Sequence, residues 1–311
     1  MAIDKCKICE ANSNNLIIRA EDVETHHLFN YHNCINCGVV YLKEIPENYQ
    51  QYYGNNYYSF NASNGIAQQI KYKRDIAGFT GKGILGKILA FLQPNHNLLA
   101  LKNLSLKPTD SLLDVGCGVG NEISVLKSLG YNKVFGVDPY INEDIYLNKE
   151  LLVKKQEVFD VNTSFNFITM HHSFEHVFEP FRVLEKLKTL LSQDGKIMIR
   201  IPVAQSFAFE KYGKSWVQFD APRHVFLHTE KSIAHLCSKL GLRVDDVIYD
   251  STTFQFWGSE IVKNGQNIHT ALKKTIFLSR LKSFIKGYHA VTKKLNQQKK
   301  GDQAIFIISK N

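Results

Sequence analysis

Four groups of residues in this 311-residue chain have the types and spacings that chemistry requires. Cys6-x2-Cys9 and Cys34-x2-Cys37 are two pairs separated by 24 residues, each able to sit on a tight knuckle, with Gly38 supplying the turn after the second. Four such thiolates close a tetrahedron around one Zn²⁺ and leave no open position, so the ion's role is structural. Four ordinary thiols are the plainer reading, and His26, His27 and His32 are less regularly spaced substitute ligands. The second group is Gly116, Gly118 and Gly120 behind Asp114, with Asp138 some twenty residues on. Glycines let backbone N–H groups approach a ligand, the following helix turns its positive end toward a carboxylate there, and an acid after the next strand suits two ribose hydroxyls. The third group is His171-His172-Ser173-Phe174-Glu175-His176, and the fourth is Trp216, Asp220, Arg223 and His224.

These residues need elements to hold them. Leu112, Leu113 and Val115 read as a buried parallel strand turning straight into a helix, and Val134 to Val137 as the next strand, ending on Asp138. A short helix and a third strand near Leu151 to Val153 follow. Phe165 to Met170 is the fourth strand, with the histidine group at its carboxyl end, where open α/β sheets bind ligands. A helix from Pro180 to Leu191 and the turn at Asp194-Gly195 lead to a fifth strand, Lys196 to Ile201. Val244 to Tyr249 and Ala304 to Ile308 complete an expected α/β fold: a doubly wound, seven-stranded Rossmann-like sheet. The expected division is a zinc-binding module over 1–48, an aromatic connector and helices capping the cofactor cleft over 49–106, and the catalytic domain over 107–311. The tyrosine-dense stretch 49–60 either lines a substrate cleft or is a wedged linker.

The glycine spacing departs from the dinucleotide fingerprint, whose third small residue falls where Asn121 stands. Asp114 is a poor neighbour for a pyrophosphate and a good one for an ammonium and a sulfonium. Asp-Val-Gly-Cys-Gly-Val-Gly with Gly-Val-Asp one βα unit later resembles the first two motifs of class I S-adenosylmethionine-dependent methyltransferases. Ser-Phe-Glu-His-Val-Phe-Glu-Pro, Leu-Leu-Ser-Gln-Asp-Gly-Lys and Trp216-x3-Asp220-Ala-Pro-Arg223-His224 extend the resemblance to the type-23 methyltransferase family over about residues 108 to 255. A cysteine module ahead of such a core is similar to that of sugar C-methyltransferases acting on nucleotide-linked deoxysugars. Their Tyr-x-Glu-His signature is replaced here by Asp-Ala-Pro-Arg-His. The resemblance implies S-adenosyl-L-methionine held along Asp114, Gly116, Gly118, Gly120 and Asp138.

Methyl transfer to a hydroxyl or an enolisable carbon calls for a base, for which a histidine is best matched. His224 is the leading choice, with Asp220 to orient it and Arg223 to grip a phosphate or carboxylate bidentately beside Trp216. A loop salt bridge is the alternative. His176 with Glu175 comes second, against a contact that merely holds the cleft shut. His171 and His172 are expected to close the adenosine side or pack within the strand end.

The net charge of +9 is local: residues 261–300 hold ten Lys and Arg and no acid, leaving 28 basic against 29 acidic residues elsewhere. In that stretch Phe277, Leu281, Phe284, Tyr288, Val291 and Leu295 form one stripe of an expected amphipathic helix over about 271–300. Such a helix lies on an anionic membrane, packs on a partner or covers the cleft, or else packs on its own domain. No apolar run reaches the roughly 20 residues needed to cross a bilayer and no h-region opens the chain, so a cytoplasmic protein is expected. The expected activity is methylation of a small-molecule or carbohydrate acceptor, a nucleotide- or lipid-linked sugar. An RNA methyltransferase and a cofactor-binding scaffold without turnover are the competing readings, and nucleic acid is the less favoured partner because no RNA-binding signature accompanies the basic stretch.

Overall fold

The computed structural model describes residues 5–12, 16–53, 66–266, 268, 271 and 273–311. Residues 54–60 of the tyrosine stretch lie outside these. The first cysteine knuckle leads into β1 (Leu16–Glu21) and β2 (Leu28–Asn33), and the second into β3 (Val40–Leu42), an antiparallel meander. Its fourth strand is Phe226–Leu227, from far along the chain. The cysteine module therefore shares a sheet and one apolar core with the rest of the molecule.

Residues 66–106 are helical, as the sequence predicts. They form α1 (Ile66–Thr80), α2 (Ile84–Leu92) after a glycine break, and α3 (His96–Ala100), capped by the Asn95 side chain. Then come β4 (Leu112–Val115), α4 (Asn121–Ser128), β5 (Val134–Val137), β6 (Ile145–Leu147), β7 (Glu150–Lys154) and β8 (Phe165–His171). They are followed by α5 (Pro180–Leu190), β9 (Leu191–Pro202), α6 (Phe207–Tyr212), β10 (Phe226–Leu227), α7 (Glu230–Lys239) and β11 (Leu242–Tyr249). The chain closes with α8 (Phe254–Lys263), α9 (Lys273–Ile285), α10 (Tyr288–Gln297) and β12 (Gln303–Lys310).

The main sheet is ordered β11-β12-β9-β8-β4-β5-β7-β6, parallel from β9 to β7 and antiparallel at both edges. It has eight strands where seven are expected. The extra strand, β6, replaces the short helix expected after Asp138. Asn148 (φ 51°) and Lys149 (φ 68°) form a two-residue turn with both φ positive, the hairpin turn whose twist matches paired strands. That turn lacks the glycine that would have announced it.

The predicted single amphipathic helix is also corrected. The stripe is broken at Gly287 (φ 66°) between α9 and α10. Leu295 is buried and Tyr288 packs on Phe256, whereas Phe277 and Phe284 face solvent.

Candidate active site

Strands β4 and β8 are sheet neighbours although β5 to β7 intervene in sequence, so the chain reverses its winding between them. A crevice must open at the carboxyl ends of such strands. It is a cavity of about 500 Å³. Gly116 after β4, Asp138 to Tyr140 after β5, Gln156 to Phe159 after β7, and His172, Ser173 and His176 after β8 form its walls, with Tyr53 and Phe178 also lining it. The helices expected to cap the cleft contribute none of residues 69–106 to this wall. They stack behind the glycine turn instead, α1 packing on α3 and α4.

Gly116 (φ 72°) has room for no side chain: a Cβ there would stand 2.6 Å from that of Ser173, whose hydroxyl donates to the Val115 carbonyl at 2.9 Å. Asp138 braces the turn, accepting from Gly118 N at 2.8 Å and Tyr140 N at 2.9 Å, and burial raises its carboxyl. Asp114 lies off the cavity wall. It is buried beneath the turn, accepts from the Thr169 hydroxyl at 2.8 Å, and burial pushes its carboxyl up to about 8.

Glu175, fully buried, is the centre of a histidine cage in which neither of its carboxylate oxygens accepts a conventional hydrogen bond. His172 Nδ1 stands 3.4 Å and His224 Nε2 3.9 Å from Oε1. Burial alone would raise this carboxyl, but the His172 N–H, with His176 and His224, outweighs it and holds the group below its ordinary range. The hydrogen positions follow from the partners. Arg200 can only donate, and its Nη1 lies 3.0 Å from His172 Nε2, so His172 carries its hydrogen on Nδ1, toward Glu175. His176 Nδ1 lies 2.8 Å from the Arg223 carbonyl, which can only accept, so Nδ1 holds the hydrogen and Nε2 keeps its lone pair. Burial, and next His224, lowers the pKa of His176. The same logic puts the hydrogen of His224 on Nδ1, 2.7 Å from the Gln218 carbonyl.

The histidines chosen from sequence thus meet in one place, but in a different order. His224 is absent from the cavity wall. It stands behind His176, ring centroids 4.8 Å apart, and its loop is fastened to the cysteine module by Tyr31 Oη donating to its carbonyl at 3.0 Å. His171 is half-buried, with both ring nitrogens shut from solvent and unpaired, and their burial holds its pKa well below the ordinary value.

Of the expected acceptor-binding residues, Trp216 and Arg223 are buried and Asp220 is half-buried. Arg223 donates to both carboxylate oxygens of Asp220 and, through Nη1, to the Tyr52 carbonyl at 2.9 Å. Trp216 is 1% exposed and donates to Asp302 at 2.9 Å. None of the three lines the main cavity, and all three line a second cavity of about 30 Å³ beside Glu21 and Asp22. A planar guanidinium suited to gripping a substrate is equally suited to stapling a loop, and here it staples. Sequence reasoning passed over Tyr140 and Gln156 to Phe159 and gave Ser173 no role of its own, although all follow strand ends. It expected His172 to close the adenosine side or to pack within the strand end, and His172 (φ 49°) lies on the cavity wall.

The four cysteine sulfurs form a second cluster, with Cys6 and Cys37 Sγ 3.8 Å apart and Cys9 and Cys34 Sγ 3.7 Å apart. Gly38 (φ 74°) turns the second knuckle, and Glu10 (φ 56°) turns the first. No histidine joins the cluster among the described residues. His26 contacts Glu21, His27 contacts Tyr52, and His32 contacts Tyr41.

Residues 86–247, just over half the chain, match the model of a methyltransferase domain family. No curated protein matches the sequence. Similar solved structures include the cyclopropane synthase MmaA2 from Mycobacterium tuberculosis, at 16% identity over 70% of this chain and 84% of that one, with a TM-score of 0.46. A SAM-dependent methyltransferase from Archaeoglobus fulgidus is similar at 18% identity over 70% and 93%, TM-score 0.44. A third, described as a possible histamine N-methyltransferase from Thermotoga maritima, is similar at 16% identity over 69% and 87%, TM-score 0.43.

Proposed function

The chain belongs to this methyltransferase family and is an S-adenosylmethionine-dependent enzyme, and from that premise we propose that it methylates a hydroxyl of a small carbohydrate, nucleotide- or lipid-linked, with His176 as the base. The observation that carries this reading is His176 itself: a wall residue whose Nδ1–H is committed to the Arg223 carbonyl, so that its one basic nitrogen is Nε2.

The cofactor, when bound, supplies an electrophilic methyl group on a sulfonium centre. The walls fit it. A glycine turn that admits no Cβ, and Asp138 with one lone pair left on each oxygen after its two backbone bonds, are the groups for the aminoacyl chain and the ribose hydroxyls. Gln156, Val158 and Phe159 offer an apolar and amide surface for a flat base, with the Glu157 carboxyl beside it. His176 Nε2 takes the proton of the acceptor hydroxyl as its oxygen is methylated, and the buried Glu175 carboxylate stabilises the imidazolium so formed.

Cavity size and lining favour a small acceptor. About 500 Å³ lies within the range of small-molecule sites and suits the cofactor with one further ring. Tyr53 and Tyr140, parallel within 7° at 6.3 Å, and Phe178 offer faces against which a sugar can stack. The described residues of the basic segment 261–300 contribute nothing to this wall, which disfavours the RNA reading.

We also infer a structural Zn²⁺ on Cys6, Cys9, Cys34 and Cys37. The sulfur separations of 3.7 and 3.8 Å equal the edge of about 3.8 Å of a tetrahedron with Zn–S near 2.3 Å. The ion would lock the two knuckles against each other, a supporting role remote from catalysis.

The test is incubation with methyl-labelled cofactor and a panel of nucleotide-linked sugars, lipid-linked sugars and short RNAs. Label entering a sugar in wild type and not in His176→Ala supports the reading; label entering only RNA overturns it.

A further inference from the structure

An amphipathic helix ordinarily buries its large apolar residues. Helix α2 does the reverse. Ile84, Leu85, Ile88, Phe91 and Leu92 fall within an arc of about 120° at 3.6 residues per turn, and they are 53% to 87% exposed. The opposite face is built of small residues. Gly86 lies so close to α1 that a Cβ would stand 2.5 Å from that of Ala77, and Ala90 packs over Gly78. The small side thus faces inward, and the side with transfer energy to gain from leaving water is turned outward. A contiguous apolar patch of this kind marks an interaction surface.

Charge decides the partner. Between residues 66 and 106 the one acid is Asp75, which is buried and spent on Arg74 and Asn95. Lys71, Lys73, Lys82 and Lys87 on and beside α2 are exposed. Two copies of this surface meeting face to face would oppose lysines with no carboxylate to answer them. An anionic lipid surface answers both features at once, taking the apolar arc into the acyl boundary and the ammonium groups among its phosphates. Helix α9 repeats the chemistry: Phe277, Phe284 and Ile285 are 64% to 74% exposed in a segment without acids.

We infer that α2 docks this enzyme on an anionic membrane surface. It lies in the interface plane, since no described helix is long and apolar enough to cross a bilayer. The inference holds whatever the methyl acceptor is.

The test is co-sedimentation of the full chain with vesicles of phosphatidylcholine alone and of phosphatidylcholine with phosphatidylglycerol. Wild type should pellet with the anionic vesicles and be released by high salt. Phe91→Asp should lower partitioning at least tenfold, and Lys82→Glu or Lys87→Glu on the order of fivefold. S-adenosylhomocysteine binding, measured by calorimetry, should be unchanged in all three variants and so certify their folding, because none of these residues lines the cavity. Wild type remaining in solution with both vesicle types would overturn the inference. So would a wild-type dimer that Phe91→Asp converts to monomer without altering vesicle binding, since the surface would then belong to a second copy.

Discussion

His176 Nδ1 lies 2.8 Å from the carbonyl oxygen of Arg223, across the 47 residues that separate the strand-end turn from the loop ahead of β10. This contact selects the tautomer and so decides which nitrogen can act as a base. The two functional candidates of the loop both meet His176: His224 stands behind its ring, and Arg223 offers its backbone carbonyl while its side chain staples the loop.

His176→Ala should lower turnover by ~10²–10⁴-fold, the range for loss of a general base, with cofactor affinity nearly unchanged. His224→Ala should cost less. Because burial lowers the His176 pKa, its neutral form persists below the ordinary histidine range, and the rate should fall with acid only beneath that range. Single-turnover kinetics against pH checks this, and a His224 variant more damaged than the His176 variant would reverse the assignment.

Asp138→Ala removes the acceptor for the backbone N–H of Gly118 in the glycine turn and for that of Tyr140 in its own loop, as well as the partner for ribose hydroxyls. A loss of ~1.5–3 kcal/mol in S-adenosylhomocysteine binding is expected, tenfold or more in affinity. Calorimetry measures it directly.

Arg223→Lys should act on stability rather than on acceptor binding. The ammonium cannot reach Asp220 with two parallel bonds and the Tyr52 carbonyl with a third, leaving buried acceptors unpaired at a cost of ~1–3 kcal/mol. A lower Tm with the KM for acceptor unchanged is the expected pattern.

Protein purified without added metal should carry about one equivalent of zinc by elemental analysis, and Cys34→Ser should lose it. Folded native protein free of metal would remove the ion from this account.

His228 is stacked between Phe174 and Phe226, and burial lowers its pKa to about 3. The unfolded chain takes up this proton below the ordinary value of 6.5, and the folded chain only below about 3. Across that window the unfolded state binds more protons, so His228 costs stability as pH falls, by on the order of 4 kcal/mol at the acid end. His228→Phe should flatten the acid side of the pH–stability curve, read from urea midpoints between pH 7 and pH 4.

Local patterns settled much of this. The run of apolar residues ending in glycines, the acid after the next strand and the paired cysteine knuckles are periodic or short-range signals, so the sequence alone determined the α/β class, the cofactor-side turn and the four-sulfur cluster. The β6–β7 hairpin escaped because Asn148 and Lys149 adopt positive φ without glycine. The acceptor side escaped for a deeper reason. Histidine, arginine and aspartate serve a substrate or an interior staple equally well, and only the fold decides which. Once β10 joins the cysteine module's sheet, the loop before it is pulled inward, so His224, Arg223 and Trp216 are buried off the main cavity wall. His176, fixed to the end of β8 beside the reversal of the sheet, is left facing the cavity.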